Sequence, residues 1–351
     1  MSKLMSGILY GVAGEGSGHA TRAREIIRHL ERAGHAVEVV SYETGYENLH
    51  SEFHVAEITG LHLAYRRNAV QYLPTLLENV QKIPGLARSF ERVRTLANRF
   101  NPDLVISDFE PVSGIIARLR RIPLISIDNQ HELTRTRAPY PKQYERDALT
   151  AKAIITAVLP RATAYIVTSF RNPTPTRART AVVPPILRND ILGAKPTRGP
   201  DILVYVTSPY VELLKILHNV QATFIIYGLP RRGQFNNCRC APPSRGDFLR
   251  DLISCRAVIA NAGFSLITEA LHLGKPYLAI PVRGQFEQIF NAHALASLGY
   301  GEHVDALTRE NVEQFLYNTE RYANALRGYP RQDNATTFRV IDDLITTHMS
   351  A

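Results

Sequence analysis

Two stretches of this chain set hydrogen-bonding and ionisable side chains beside backbone turns able to bind an anion. In the first, an apolar run (Val258-Ile259-Ala260) reads as a buried strand ending at Asn261-Ala262-Gly263. Leu266, Ala270 and Leu273 then recur at helical spacing, so a helix follows the turn directly. The first N–H groups of a helix lack intrahelical partners, and the macrodipole favours negative charge there, so such a turn can grip a phosphate. Ser265 adds a hydroxyl at that point, and Glu269, about one turn on, can reach a sugar hydroxyl beside a bound phosphate. A second strand, Tyr277–Pro281, delivers the polar loop Arg283-Gly284-Gln285-Phe286-Glu287-Gln288, and another helix starts near Ile289.

The second stretch follows the apolar strand Gly7–Val12 and reads Ala13-Gly14-Glu15-Gly16-Ser17-Gly18-His19. From Ala20 a helix is expected, with Ala23, Ile26, Ile27 and Leu30 on one face, closed by Gly34. The strand Val37–Val40 completes a βαβ unit, and ligands of open α/β sheets bind at such first crossovers. The glycines are spaced G-x-G-x-G, which fits a dinucleotide fingerprint poorly, although Glu43 after the second strand keeps a ribose-binding acid available to that reading. Asn101-Pro102-Asp103 opens another strand, Leu104–Ser107, which ends at Asp108. Asp108 is thereby expected on the same rim of the sheet as His19, where a carboxylate can hydrogen-bond an imidazole and fix its tautomer. The competing reading of Asp108 is a helix N-cap. The strand Pro123–Ile127 ends in Asp128-Asn129-Gln130-His131-Glu132, and Asp128, Gln130 and His131 are candidates for acceptor contacts.

The spacing AGxxxxxEAxxxGxPxxxxPxxxxxxQxxNAxxLxxxGxG, from Ala262 to Gly301, resembles the donor-nucleotide signature of GT-B glycosyltransferases. Its nearest likenesses are the UDP-glycosyltransferases and the N-acetylglucosaminyl transferase of peptidoglycan lipid synthesis. The likeness covers the last third of the chain strongly and the first hundred or so residues more loosely. It implies the GT-B fold: α/β, two Rossmann-like doubly wound domains facing across a cleft. Residue by residue it implies that Gly16, Gly18, Gly263 and Ser265 contact the donor, that Glu269 binds ribose, and that Glu287 and Gln288 meet the donor sugar. Asn291 matches an asparagine on the helix behind that pair. His19, in a GxGH turn similar to the family's N-terminal loop, would be the general base, with Asp108 orienting it. The implied reaction is metal-independent, inverting sugar transfer from a nucleotide-sugar, UDP-linked by preference, to a lipid, glycan or small-molecule hydroxyl, with no cofactor. The chain departs from the plant-type pattern in having Asn261 where those enzymes carry a histidine, and in having no tryptophan to stack on uracil. The base pocket is expected near Pro242–Phe248 instead.

Around these residues strands and helices alternate twice. In the first half a helix is expected over Tyr144–Leu159 and a final strand at Ala164–Thr168; the proline- and glycine-containing run Leu192–Pro200 reads as a linker. Strands at Asp201–Val206 and Ala222–Tyr227 then restart the pattern, with an irregular basic loop from Gly228 to about Gly246. The expected division is 1–190 for the acceptor side, 200–330 for the donor side, and 331–351 as a tail whose amphipathic helix, Asn334–Thr347, crosses back to the first domain.

With 351 residues there is room for two cores, and 45% hydrophobic against 21% charged residues excludes a disordered chain. No apolar run is long enough to span a bilayer and no signal peptide is visible, so cytoplasm is the expected location. Cys238, Cys240 and Cys255 are too few for a disulfide framework, and the C-x-C pair lacks further ligands, so reduced thiols and no metal site are expected. The net charge of +9 is concentrated in part between residues 61 and 100, where Arg66, Arg67, Lys82, Arg88, Arg92, Arg94 and Arg99 alternate with Leu73, Leu76, Leu77, Val80, Ile83 and Leu86. That region reads either as a solvated helical face or as a patch for an anionic membrane surface or lipid acceptor, peripheral at the inner face of the membrane. No aromatic-interleaved basic motif points to nucleic acid. Two rival functions share the pattern: a nucleotide-sugar 2-epimerase using Glu110 or Glu132 as extra acids, and a non-catalytic sugar- or nucleic-acid-binding protein.

Overall fold

Seven short strands run parallel in the first half: β1 (Gly7–Val12), β2 (Ala36–Ser41), β3 (Val55–Glu57), β4 (Leu104–Asp108), β5 (Leu124–Asp128), β6 (Ala164–Thr168) and β7 (Thr180–Val183). A computed structural model describes residues 5–60, 82–159, 161–207 and 212–349. The order in the sheet is β3-β2-β1-β4-β5-β6-β7, so the chain reverses direction of winding at β1 and β4. Strands β4, β5 and β6 are buried along their whole length, as parallel strands covered on both faces must be. Alternation assigns Ile8, Tyr10 and Val12 of β1 to one face, packed on Ala20, Ala23, Ile26, Ile27 and Leu30 of the Ser17–Arg32 helix. Leu9 faces the other way, onto Val93, Leu96 and Ala97 of the Ile83–Phe100 helix and Ile116 of the Pro111–Arg120 helix. The register pairs Val12 with Asp108, which brings the turn after β1 beside the end of β4.

A second sheet follows: β8 (Ile202–Tyr205), β9 (Phe224–Tyr227), β10 (Gly233–Phe235), β11 (Cys238–Cys240), β12 (Ala257–Asn261), β13 (Tyr277–Ile280) and β14 (Gly301–His303), in the order β10-β11-β9-β8-β12-β13-β14. All its pairs are parallel except β10 with β11. Here the switch point lies between β8 and β12.

The chain divides into two units, one ending at Arg188 and resuming at Gln332, the other Asn189–Arg331. The terminal helix, Ala335–Met349, belongs to the first unit. Ile341 and Ile345 enter its core, the Asn334 amide accepts from Leu187 N (2.9 Å) and donates to Leu187 O (2.7 Å), and His29 stacks on Phe338.

Several expectations change in detail. The sheet of the first unit continues past β6 into β7. The supposedly irregular stretch after Gly228 contains the β10–β11 hairpin. The run Leu192–Pro200 is no free linker, because Thr197 N donates to Ile253 O and Gly199 N to Ser254 O, and the buried Lys275 ammonium holds the Thr197 and Cys255 carbonyls. Proline and glycine there marked irregular backbone, which hydrogen bonds then fixed. Of the basic region, residues 61–81, with Arg66, Arg67, Leu73, Leu76, Leu77 and Val80, lie outside the described residues. The Ile83–Phe100 helix buries its apolar stripe on the sheet and turns Arg88, Arg92, Arg94 and Arg99 to solvent. Among the described residues no helix is long and apolar enough to cross a membrane. The three cysteines are free and buried, and burial pushes the Cys238 thiol up to about 11 and Cys255 up to about 12, so both are unreactive.

Candidate active site

The turn after β1 is shaped by two glycines. A side chain on Gly14 would meet the Tyr42 carbonyl oxygen at 2.1 Å, and Gly16 has φ of +68°, a conformation L side chains rarely adopt. Gly16 is also the N-cap of the Ser17–Arg32 helix; no side chain caps that end, and its first turn, which holds Gly18 and His19, contains no acid. Ala13 N donates to Asp108 O at 3.0 Å, pinning the turn to the end of β4.

His19 and Asp108 meet: Nδ1 of the imidazole lies 2.6 Å from Oδ1 of the carboxylate. Asp108 has no exposed surface and His19 has 12% of its side chain exposed, so only the histidine is open to a reactant. A residue absent from the sequence reading completes the group. Arg22 Nε donates to Asp108 Oδ2 at 2.8 Å and Nη2 to Oδ1 at 2.5 Å, while Nη1 reaches Asn129 Oδ1 at 3.3 Å. Burial works against the Asp108 charge, but Arg22 and then His19 outweigh it and hold the carboxyl below its ordinary range. An ionised carboxylate only accepts, so a neutral imidazole carries its proton on Nδ1 and leaves Nε2 as the unprotonated nitrogen. Immediately after Asp108, Phe109 sits at φ of 57°, an outlier for a bulky residue, and lies roughly parallel to the His19 ring with centroids 6.4 Å apart.

The loop after β5 adds a second imidazole–carboxylate pair. His131 Nδ1 lies 2.7 Å from Asp128 Oδ2, His131 N donates to Asp128 Oδ1, and the Ser126 hydroxyl donates to Asp128 Oδ2. Burial again disfavours the charge, and His131 with these donors overcomes it, bringing Asp128 down to about 2. Asp128 and His131 are buried and serve each other. Gln130 is the member of this loop that approaches His19, its Nε2 lying 3.4 Å from His19 Nε2.

In the second unit the switch point is built from neutral amides. Asn261, the last residue of β12, accepts from Thr207 N and Thr207 Oγ1 (both 3.0 Å) and donates to Ile280 O at 2.9 Å, tying together the ends of β8, β12 and β13. The Ala262 peptide is gripped on both sides: its N–H donates to Gln288 Oε1 (3.1 Å), and its carbonyl accepts from Asn291 Nδ2 (3.1 Å). Gln288 Oε1 also accepts from Val282 N, so the residue expected to meet a sugar braces the two loops around it. Gly263 is the N-cap of the Phe264–His272 helix, with no side-chain cap and no acid in the first turn, which carries Ser265. Glu269 is buried within that helix, and Glu287 lies half-buried in the first turn of the Phe286–Ser297 helix. In the segment expected to form the base pocket, Ser244 caps the Arg245–Ser254 helix, and Phe248 packs edge-on against Tyr205 and Tyr227 at the ends of β8 and β9.

The acids that an epimerase reading would recruit are engaged elsewhere. Glu110 is fully buried as the N-cap of the Pro111–Arg120 helix, accepting from Val112 N and Ser113 N at 2.7 Å. Glu132 is buried against Arg171. Glu43, the ribose-binding acid of the dinucleotide reading, begins the Glu43–Leu49 helix and pairs with Lys82 at 2.8 Å.

Two seven-stranded, doubly wound units of this kind define the GT-B architecture, and solved glycosyltransferases share it along almost their whole length. The calicheamicin glycosyltransferase CalG4 covers 99% of this chain and 98% of its own at 15% identity, with a TM-score of 0.69. The glycosyltransferase VinC, solved in complex with dTDP, covers 98% of this chain and 100% of its own at 14% identity, with a TM-score of 0.67. Residues 6–320 match the profile of glycosyl transferase family 1, and the chain belongs to that family. It is also similar to an uncharacterized glycosyltransferase of Methanosarcina acetivorans, 23% identical over 87% of this chain and 85% of that protein.

Proposed function

We propose that this glycosyltransferase moves a sugar from a pyrimidine nucleoside diphosphate, UDP by the likeness of its donor signature or thymidine diphosphate by that of its structural neighbours, to an acceptor hydroxyl, with inversion. The observation that carries the reading is the His19–Asp108 pair. His19 Nε2 takes the acceptor proton, the acceptor oxygen forms a bond to the anomeric carbon, and the bond to the diphosphate oxygen breaks, its electron pair leaving with the nucleotide. Charge gathering on that diphosphate is met by the N–H groups of the Phe264–His272 helix and the Ser265 hydroxyl, so no metal ion is required. Glu269 holds the ribose, and Glu287 with Gln288 borders the sugar. The acceptor is a lipid, glycan or small-molecule hydroxyl.

The test is a pair of variants assayed with UDP- and dTDP-sugars. His19→Ala is expected to lower turnover by about 10²–10⁴-fold with nucleotide binding intact by calorimetry. Glu269→Ala is expected to weaken nucleotide binding. Near-normal turnover in His19→Ala removes the base assignment, and retention of anomeric configuration in the product, read by NMR, removes direct displacement.

A further inference from the structure

We propose that Arg22 is a positioning residue that completes the His19–Asp108 pair, sharing the Asp108 charge so that His19 stays a neutral proton acceptor. This rests on the reading of His19 as the base. In an isolated imidazole–carboxylate pair the carboxylate stabilises the imidazolium, and the base is lost as pH falls. Here the geometry divides the carboxylate differently. The guanidinium fork takes both oxygens, at 2.8 and 2.5 Å, and His19 shares only Oδ1 with it. Arg22 Nη2 also stands 3.2 Å from His19 Nδ1. Protonating the ring would set a second positive charge against a cation that does not give up its own proton.

Every other neighbour leaves that balance in place. Tyr10 on β1, beneath the pair, is kept neutral by burial and then by Asp108. Asp128 at the end of β5 also attracts Arg22, but its oxygens are occupied by His131 and Ser126. Gln130 and Phe109, which face the imidazole, carry no charge. Asn129 fixes the far side of the guanidinium, joining the loop that carries Gln130 to the same cation. His19 and Arg22 are three residues apart on one helix, so a single element delivers both base and counter-charge to Asp108.

The experiment measures kcat/KM against pH, together with the pH dependence of His19 modification by diethyl pyrocarbonate located by mass spectrometry. In Arg22→Gln the acid limb is expected to move up by about one to two pH units, and the midpoint of His19 modification to move with it. Lower turnover at every pH with both midpoints unmoved would make Arg22 a structural brace and overturn the proposal. Arg22→Gln leaves a buried carboxylate with one partner, so a second comparison uses Asp108→Asn against Asp108→Asn/Arg22→Gln, in which the double variant buries no net charge. The double variant is expected to show the higher modification midpoint; equal midpoints overturn the proposal. If His19 were not the base, His19→Ala would keep its turnover and the acid limb would ignore Arg22, while the modification midpoint would still move. The two failures are therefore distinguishable.

Discussion

Both units end a central strand in a glycine-bearing turn that opens a helix, yet the chemistry around the two turns differs. At the first, buried ionisable groups face one another: Arg22, Asp108 and His19 in one group, Asp128 and His131 in the next. At the second, the holding groups are neutral amides and a hydroxyl: Asn261, Gln288, Asn291 and Thr207. A group that moves a proton needs neighbours that tune its charge. A turn that receives a diphosphate needs fixed dipoles and no carboxylate competing for the helix N-terminus. On the proposed function, similar backbone geometry takes its role from whether the side chains behind it titrate.

The most direct way to break this contrast is to put a carboxylate into the neutral turn. Ser265→Asp places an acid in the first turn of the Phe264–His272 helix, where none exists. The macrodipole should hold thermal stability level or raise it slightly, while repulsion of roughly 3 kcal/mol should weaken nucleoside diphosphate binding by about 10²-fold. Calorimetric titration with UDP and dTDP reads the affinity. Unchanged binding in a folded variant would mean that the diphosphate does not use this helix end.

How much of this was legible in the sequence depends on the reach of each signal. Strand-to-helix alternation, the glycine turns and the His19 and Asp108 positions all show in local pattern, because each lies at the end of a strongly apolar run. The short strands β3, β10, β11 and β14 have three residues each, too few for any period to appear. Arg22 sits on a helix whose apolar stripe is plain, and only distant partners, Asp108 86 residues away and Asn129 107 residues away, explain why an arginine is buried there. A signal was nonetheless present, since an arginine three residues after a candidate base shares its helical face. Gln288 was visible as a polar residue at a matching position, but its grip on the Ala262 and Val282 N–H groups follows from tertiary contact.

The charged side of the comparison can be sharpened by acid titration. Asp128 is lowered to about 2 in the folded chain from an ordinary 3.8. Its stabilisation is therefore complete above about pH 4 and lost as pH falls through the folded value. The unfolding free energy of the native protein, read by urea titration, should drop across that window by more than that of Asp128→Asn, with a difference of about 2 kcal/mol. Parallel curves for the two proteins would show that the Asp128 charge does not stabilise the fold.

The smallest effect is expected where a neutral brace is removed. Asn291→Ala takes away the donor to the Ala262 carbonyl while Gln288 keeps the Ala262 N–H. A buried carbonyl left unsatisfied costs about 1 kcal/mol, so stability should fall by that amount and nucleotide affinity by less than about tenfold. The pH profile of turnover should keep its shape, because the amide neither titrates nor belongs to the unit that holds His19. A displaced acid limb in Asn291→Ala would show that the neutral turn takes part in setting proton transfer, and the division of labour between the two turns would then fail.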